Sequence, residues 1–422
     1  MMHKKRPGMM RLKVRAIGVA ITALAVALGL GVPSAAAAES YPASSTGFAL
    51  VGHGFGHGRG LSQWGAYGAA TKGLTLGAIL DFYYPGTTRA ALPNAPIRVK
   101  LSTGSTSRVA VDALGVMSLT VSGTKTALPA VESSTGRAIS SWRLVPDSAG
   151  TGLRVEFTRA GSTTWVAFRT LAATSADLSS DRGSVRLIRP DDTRREYRGS
   201  LRALRSGGSV TTINVVSMES YLRGVVPVEM PASWPATALA AQAVAARTYA
   251  AYKRSRATGS SDICDTTACQ VYAGKASFTA TGTLVRTYET SATNAAITAS
   301  GLQAIYYKGA LALTEFSASN GGYTKASLIP YQVAKPDPYD GAVPNKANTW
   351  TKTVTLAAVR NAWPEIGTPK ALVVTGRDGK GEWGGRVTGV QIVGSAGTVS
   401  VTGGRFASAL GLKSTWWRGA SS

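Results

Sequence analysis

Between Asn214 and Lys253 the apolar positions recur at helical spacing in two runs, NVVSMESYLRGVVPVEM and PATALAAQAVAARTYAAYK. The first predicts a short helix and then a turn that carries Glu229. The second predicts an alanine-rich helix from Pro235 to Lys253, about 28 Å long at 1.5 Å per residue, with no Gly or further Pro inside it. Pro235 suits the first helical turn, and Ser233 just upstream is placed to cap the free amides. Leu239, Ala243, Ala246 and Ala250 form one packing face. Alanines on the other faces let neighbours approach from several sides, so this helix reads as a central spine.

Ahead of the spine, from Ile97 to Thr212, the pattern is short alternation punctuated by Gly, Ser and Thr, as in Ile97-Arg98-Val99-Lys100-Leu101 and Leu153-Arg154-Val155-Glu156-Phe157. That is the pattern of hairpin-linked strands. Nearer the start, Ser62 to Lys72 and Leu76 to Tyr83 read as short helices ended by Gly73 and by Pro85-Gly86. Behind the spine a helix or helix pair is predicted over Thr281 to Ser300, and a strand over Ala304 to Lys308. Tyr331 to Asn348 reads as a loop, and the tail as a hairpin around Gly394 to Gly397 followed by a short helix. The fold class is α+β. The segments are a leader (1–38), a Gly/His-rich stretch (39–90), a β-rich region (91–205) and the helical stretch with its tail (206–422).

Charge changes the picture. The 422 residues carry a formal net charge of +24, and six of the positive residues lie in the first fifteen. The rest stays strongly basic, which would attract nucleic acid, anionic lipid or anionic wall polymers. The leader chooses among these. Its basic segment to Arg15, its apolar run from Ala16 to Val32 and the small residues Ala35 to Ala38 read as a secretory signal peptide, with an uncleaved anchor as the other reading. No later segment is apolar enough to span a membrane. An exported protein meets wall polymers rather than nucleic acid.

Glu229 is the candidate for chemistry. Val225, Val226, Pro227, Val228, Met230, Pro231 and Trp234 surround it in sequence, with no other charge among them. Burial there would raise its pKa, and a move from about 4.3 to about 6.5 corresponds to roughly 3 kcal/mol against the ionised form. Such a carboxyl can act as a general acid. The positive end of the following helix would act the other way, so sequence leaves the sign open. His53 and His57 stand in the glycine-rich stretch VGHGFGHGRG. They read as a structural or glycan-contacting loop, with metal binding as the other reading. Cys264 and Cys269 share one loop and, in an exported protein, most simply pair as a disulfide, with free thiols or a metal as the other readings.

The run Tyr221 to Ala250, YLRGVVPVEMPASWPATALAAQAVAARTYA, resembles the signature of the SpoIID/LytB family, the stage II sporulation protein D type of lytic transglycosylase and its amidase-enhancer relatives. The resemblance implies a SpoIID-like catalytic core around the Ala-rich helix, with Glu229 as acid and base and with Gln242 and Arg247 lining or supporting the site. Many relatives carry a Lys where this chain has Ala240. GHGFGHGRGLSQWGA followed by YYPGT resembles a second signature of the family, which in many relatives follows the core; here it precedes it. The likeness therefore implies that this segment packs back against Glu229 and brings His57, Ser62 and Gln63 to the site wall. In CQVYAG it points to Gln270 and Tyr272 as glycan contacts. In TEFSASNGGYT it points to Ser319, Asn320 and Gly321, where a polar β-turn is the alternative. Some relatives bind zinc with two Cys and an upstream His, and no such His occurs here.

The resemblance further implies an exported peptidoglycan lytic transglycosylase, which needs one carboxyl group and neither metal nor cofactor. Of the other nearby acids, Glu219 suits a helix start and Glu315 lies beside the SASNGG turn. Expected partners are glycan strands, anionic wall polymers and a cell-wall amidase. The alternatives are a non-catalytic amidase enhancer and a structural adhesin.

Overall fold

Alternating residues build two large sheets in the computed structural model, which describes residues 39–420. The seven-stranded sheet runs in the order Ile263–Cys264, Pro96–Lys100, Ser209–Ser217, Ser200–Ser206, Ser175–Ser180, Met117–Val121 and Thr124–Ala127. The eight-stranded sheet runs Trp165–Leu171, Leu153–Arg159, Ile139–Pro146, Val109–Asp112, Ser184–Ile188, Arg194–Arg198, Ala276–Phe278 and Leu284–Thr287. Their apolar residues, among them Trp142, Leu144, Val155, Leu187, Val99, Leu119 and Leu201, share one core with residues of the helical stretch. Strands from beyond residue 205 thus complete both sheets, and leader residues 1–38, with the signal-peptide reading, lie outside the described residues.

Helices α1 (Gln63–Thr71), α2 (Leu76–Tyr83), α3 (Met218–Glu229), α4 (Ala236–Arg256) and α5 (Ser291–Ala299) gather around α4. Every residue from Ala238 to Ala251 is buried, because α1, α2, α3, α5 and the strand Gln303–Tyr307 all pack on it. Ala243, Ala246 and Ala250 join the core of the large sheets, whereas Leu239, Ala241, Val244 and Ala245 join a second core with α1 and α2. The predicted single face is therefore divided between two cores, which the small side chain of alanine permits. Ser233 does not cap α4: Pro235 itself takes the capping position in an extended conformation, and no side chain bonds the first turn. Lys253, Arg254 and Arg256 in the last turn suit the negative end of the helix.

The helix expected over Thr281 to Ser300 is confined to Ser291–Ala299. Leu284–Thr287, with its β-branched Val285 and Thr287, instead pairs antiparallel with Ala276–Phe278. A third core, around Trp363, Phe406 and Trp417, holds the C-terminal strands. Phe48–His53 pairs with both Thr349–Val354 and Trp416–Gly419, which ties the Gly/His-rich stretch to the tail. No helix among the described residues is long and apolar enough to cross a membrane.

Candidate active site

Glu229 is the last residue of α3 rather than part of a turn; the Met230 N–H closes the helix on the Val226 carbonyl at 2.9 Å. One carboxylate oxygen, Oε1, accepts the Val271 N–H at 2.9 Å, and Oε2 accepts the Gln63 side-chain amide at 3.2 Å. Burial pushes the carboxyl above its ordinary value, and these two hydrogen bonds offset only part of that. Its place at the C-terminal end of α3 acts in the same upward direction, since the negative pole of a helix disfavours a second negative charge. The open sign is thus settled upward: Glu229 belongs to the end of α3, not to the mouth of α4.

Both donors are held by local structure. Leu61-Ser62 pairs in parallel with Phe316-Ser317, and Ser62 Oγ accepts the Gly65 N–H at 3.0 Å, so α1 opens on Gln63 in a fixed direction. On the other side, Cys264 and Cys269 are joined as a disulfide with Cα atoms 5.7 Å apart. The chain leaving that loop is anchored by the Gln270 amide, which donates to Tyr221 Oη at 3.0 Å and to the Ala246 carbonyl at 3.3 Å. Val271 follows directly. Gln242, one turn before Ala246 on the same flank of α4, is fully buried, and its amide nitrogen and oxygen have no partner. Gln270 Oε1 is unmatched as well. Buried polar atoms of this kind are places for water or a ligand hydroxyl.

Most of the other candidates from the sequence are engaged inside the fold. Arg247 is 0% exposed and grips Glu219 through two hydrogen bonds of 2.7 and 2.8 Å, with Gln303 O and Ser300 Oγ as further acceptors. It ties α4 to α3 and α5. Ser62, Ser319 and Asn320 are buried, and Asp340 collects the two serine hydroxyls and the Asn320 and Gly321 N–H groups. The Asn320 amide donates to Asp337 at 2.6 Å. This buried network makes the NGG segment a structural turn that holds the Gly/His loop. Gly321 has φ +79°, and a Cβ there would lie 2.8 Å from the Gly54 nitrogen, so only glycine lets the two loops meet. Tyr272 is a core residue whose hydroxyl donates to Asn214 Oδ1 at 2.8 Å. His57 is half-buried; its Nδ1 accepts the Arg59 N–H at 3.0 Å, and burial with nearby Arg59 lowers its pKa to about 4.

Sequence reasoning missed the Val271 N–H, because a backbone donor leaves no mark in residue identity. It also passed over Trp64 and Tyr67, and it noted Trp234 only as an apolar neighbour of Glu229. These half-buried rings pack together, with Tyr67 and Trp234 stacked, centroids 5.0 Å apart and nearly parallel at 15°, and Trp64 tilted against both. Trp64 and Tyr67 three apart on α1 were the available signal.

Residues 206–307 match the model of the Stage II sporulation protein (SpoIID) family. The chain carries a SpoIID domain. The amidase enhancer of Bacillus subtilis (strain 168) is 40% identical over 139 residues, which cover 32% of this chain and 17% of that protein. The stage II sporulation protein D of the same organism is 35% identical over 159 residues, covering 35% of this chain and 45% of the relative. An uncharacterized protein of Brachyspira hyodysenteriae (strain ATCC 49526 / WA1) is 32% identical over 173 residues, 39% of this chain and 44% of its own length. The matched stretches thus span less than half of each relative. The SpoIID domain contains Glu229, α4 and the disulfide loop, whereas Gln63, which bonds Glu229, lies outside the matched residues. Among the described residues no group of three or more His, Cys, Asp or Glu side chains could hold a metal.

Proposed function

We propose that this chain is an exported peptidoglycan lytic transglycosylase that cleaves the bond between N-acetylmuramic acid and N-acetylglucosamine and leaves 1,6-anhydro ends. The observation that carries this reading is the setting of Glu229: a carboxyl with a raised pKa, hydrogen-bonded by Val271 and Gln63, with no charged group among the causes of its shift. The other two acids marked in the sequence are engaged elsewhere, Glu219 with Arg247 and Glu315 with Arg59. A glycosidase that activates water or forms a covalent intermediate uses a pair of carboxyl groups. One carboxyl suffices when the nucleophile belongs to the substrate.

In the first step Glu229 gives its proton to the bridging oxygen, and the bond from that oxygen to muramoyl C1 breaks. The Val271 and Gln63 donors stabilise the carboxylate that results. In the second step the muramoyl 6-hydroxyl oxygen bonds to C1 and its proton returns to Glu229, which restores the starting state. The clustered rings of Trp64, Tyr67 and Trp234 would offer an apolar face to a sugar of the strand. The signal-like leader would deliver the chain to its polymer.

Replacing Glu229 by Gln keeps the shape and removes the transferable proton. Digestion of purified glycan strands is expected to yield anhydro ends at a rate about 10²–10⁴-fold lower in this variant. Equal yields from both proteins would remove Glu229 from the mechanism. The similarity to a protein named amidase enhancer supports a second reading, a wall-bound amidase activator. In that case Glu229→Gln would stimulate a cell-wall amidase as well as the native chain does.

A further inference from the structure

The Gly/His loop wraps a buried arginine. A Cβ on Gly58 would fall 2.3 Å from Arg386 Nη2, so the guanidinium fills the space beside the backbone between His57 and Arg59. Arg386 is 3% exposed; its Nη2 donates to the Asn320 carbonyl at 2.7 Å, while Nη1 is buried without a partner. Lys325 is docked on the same loop, its N–H donating to the Gly58 carbonyl at 2.8 Å. Its half-buried ammonium makes no hydrogen bond or ion pair among the described residues, and its pKa is lowered by burial, with Arg386 and Arg59 adding to the effect. Because His57 Nδ1 accepts a hydrogen bond and the ring is neutral near pH 7, its Nε2 carries the proton and is a further donor.

Three acids balance this cluster in part, and one of them, Asp340, acts on Arg386 through its charge while its oxygens accept from Ser62, Ser319 and Asn320. Glu315 is held by Arg59 Nε and Nη2 at 2.7 and 2.6 Å, and Asp378 accepts the Arg386 N–H at 2.9 Å. None of the three reaches Lys325 or Arg386 Nη1 with a hydrogen bond. Cationic donors half taken out of water and left unmatched are what an oxyanion replaces solvent around. Position narrows the anion. Arg59 and Gln63 are four positions apart, at most about 14 Å of extended chain, and Gln63 bonds Glu229. The loop that carries the cluster is thus joined to Glu229 by a short stretch of chain.

We propose that His57, Arg59, Lys325 and Arg386 form a binding site for a carboxylate borne by the muramoyl residue of the glycan strand. The proposal rests on the reading of Glu229 as the site of glycan binding. Two carboxylates have this chemistry: the lactyl carboxylate, free once the peptide is stripped, and the carboxylates of an attached peptide stem.

Binding to the full-length Glu229→Gln chain tests the site without turnover. Three fluorescent glycan preparations are titrated: stripped strands, stem-bearing strands, and stripped strands whose carboxyl groups are capped as methylamides. The capped strands are expected to bind about 10- to 100-fold more weakly than at least one of the other two. Whichever uncapped strand binds more tightly identifies the source, and equal affinity for both leaves the shared carboxylate as the determinant. Lys325→Met, a half-exposed position that can change without a buried cavity, is expected to weaken uncapped strands and leave capped strands unchanged. Equal affinity for capped and uncapped strands would overturn the proposal. Selective binding of uncapped strands, combined with a native chain that makes no anhydro ends, would instead sink the catalytic reading and leave this site standing.

Discussion

At the scale of single residues, the proposed chemistry depends on the carboxyl of Glu229. The folded-state pKa of Glu229 is raised above its ordinary value of 4.5. Below pH 4.5 the group is protonated both folded and unfolded and contributes nothing to stability. As pH rises the unfolded chain ionises first, so the fold loses stability until the folded carboxyl ionises too. Gln at this position escapes that loss. The melting temperature of Glu229→Gln should therefore exceed that of the native chain at pH 7 to 8, and the gap should close as pH falls below 4.5; a gap that widens toward acid would contradict the raised pKa. The apolar setting of Glu229 was legible in the sequence, because a lone acid among Val, Pro, Met and Trp has little to solvate it. The direction of its shift was not, since a helix end and a turn look alike in residue identity while placing opposite poles beside the side chain.

At the scale of elements, two cross-links hold the donors around Glu229. Arg247 joins α4 to α3 and α5 from a fully buried position. Arg247→Met leaves Glu219 and Ser300 without their partner and should cost roughly 3–5 kcal/mol in urea unfolding. A cost below about 1 kcal/mol would show that α3 is held in place by its apolar packing alone. The Cys264–Cys269 disulfide closes a short loop just ahead of Val271. Replacing both cysteines by serine should cost about 2 kcal/mol from loop entropy and should slow glycan cleavage as the Val271 N–H loses its fixed position. Unchanged cleavage kinetics would separate the loop from the site. Helices with clear stops, such as α2 between Thr75 and Pro85, could be read from the pattern to the residue. Leu284–Thr287 could not, because its strand character comes from pairing with Ala276–Phe278, a tertiary event.

At the scale of the whole molecule, the Gly/His-rich stretch and the tail share sheets, and α1 reaches from that stretch into the SpoIID domain through Gln63. The family likeness of the two signatures suggested such a return; Asp340, which ties Ser62 to the Ser319 turn, shows what holds it. Asp340 lies in the loop read from Tyr331 to Asn348, where no periodicity marks one acid as an anchor. Several residues singled out for glycan contact turned out to be this internal scaffolding, since sequence likeness does not say whether a polar side chain faces a cleft or the backbone behind it. Glycan cleavage in water enriched with oxygen-18 tests the central claim most directly. Mass spectrometry of the new muramoyl ends is predicted to show anhydro sugars with no label, because the closing oxygen comes from the substrate. Labelled reducing ends would mean that water is the nucleophile and would contradict a one-carboxyl mechanism at Glu229.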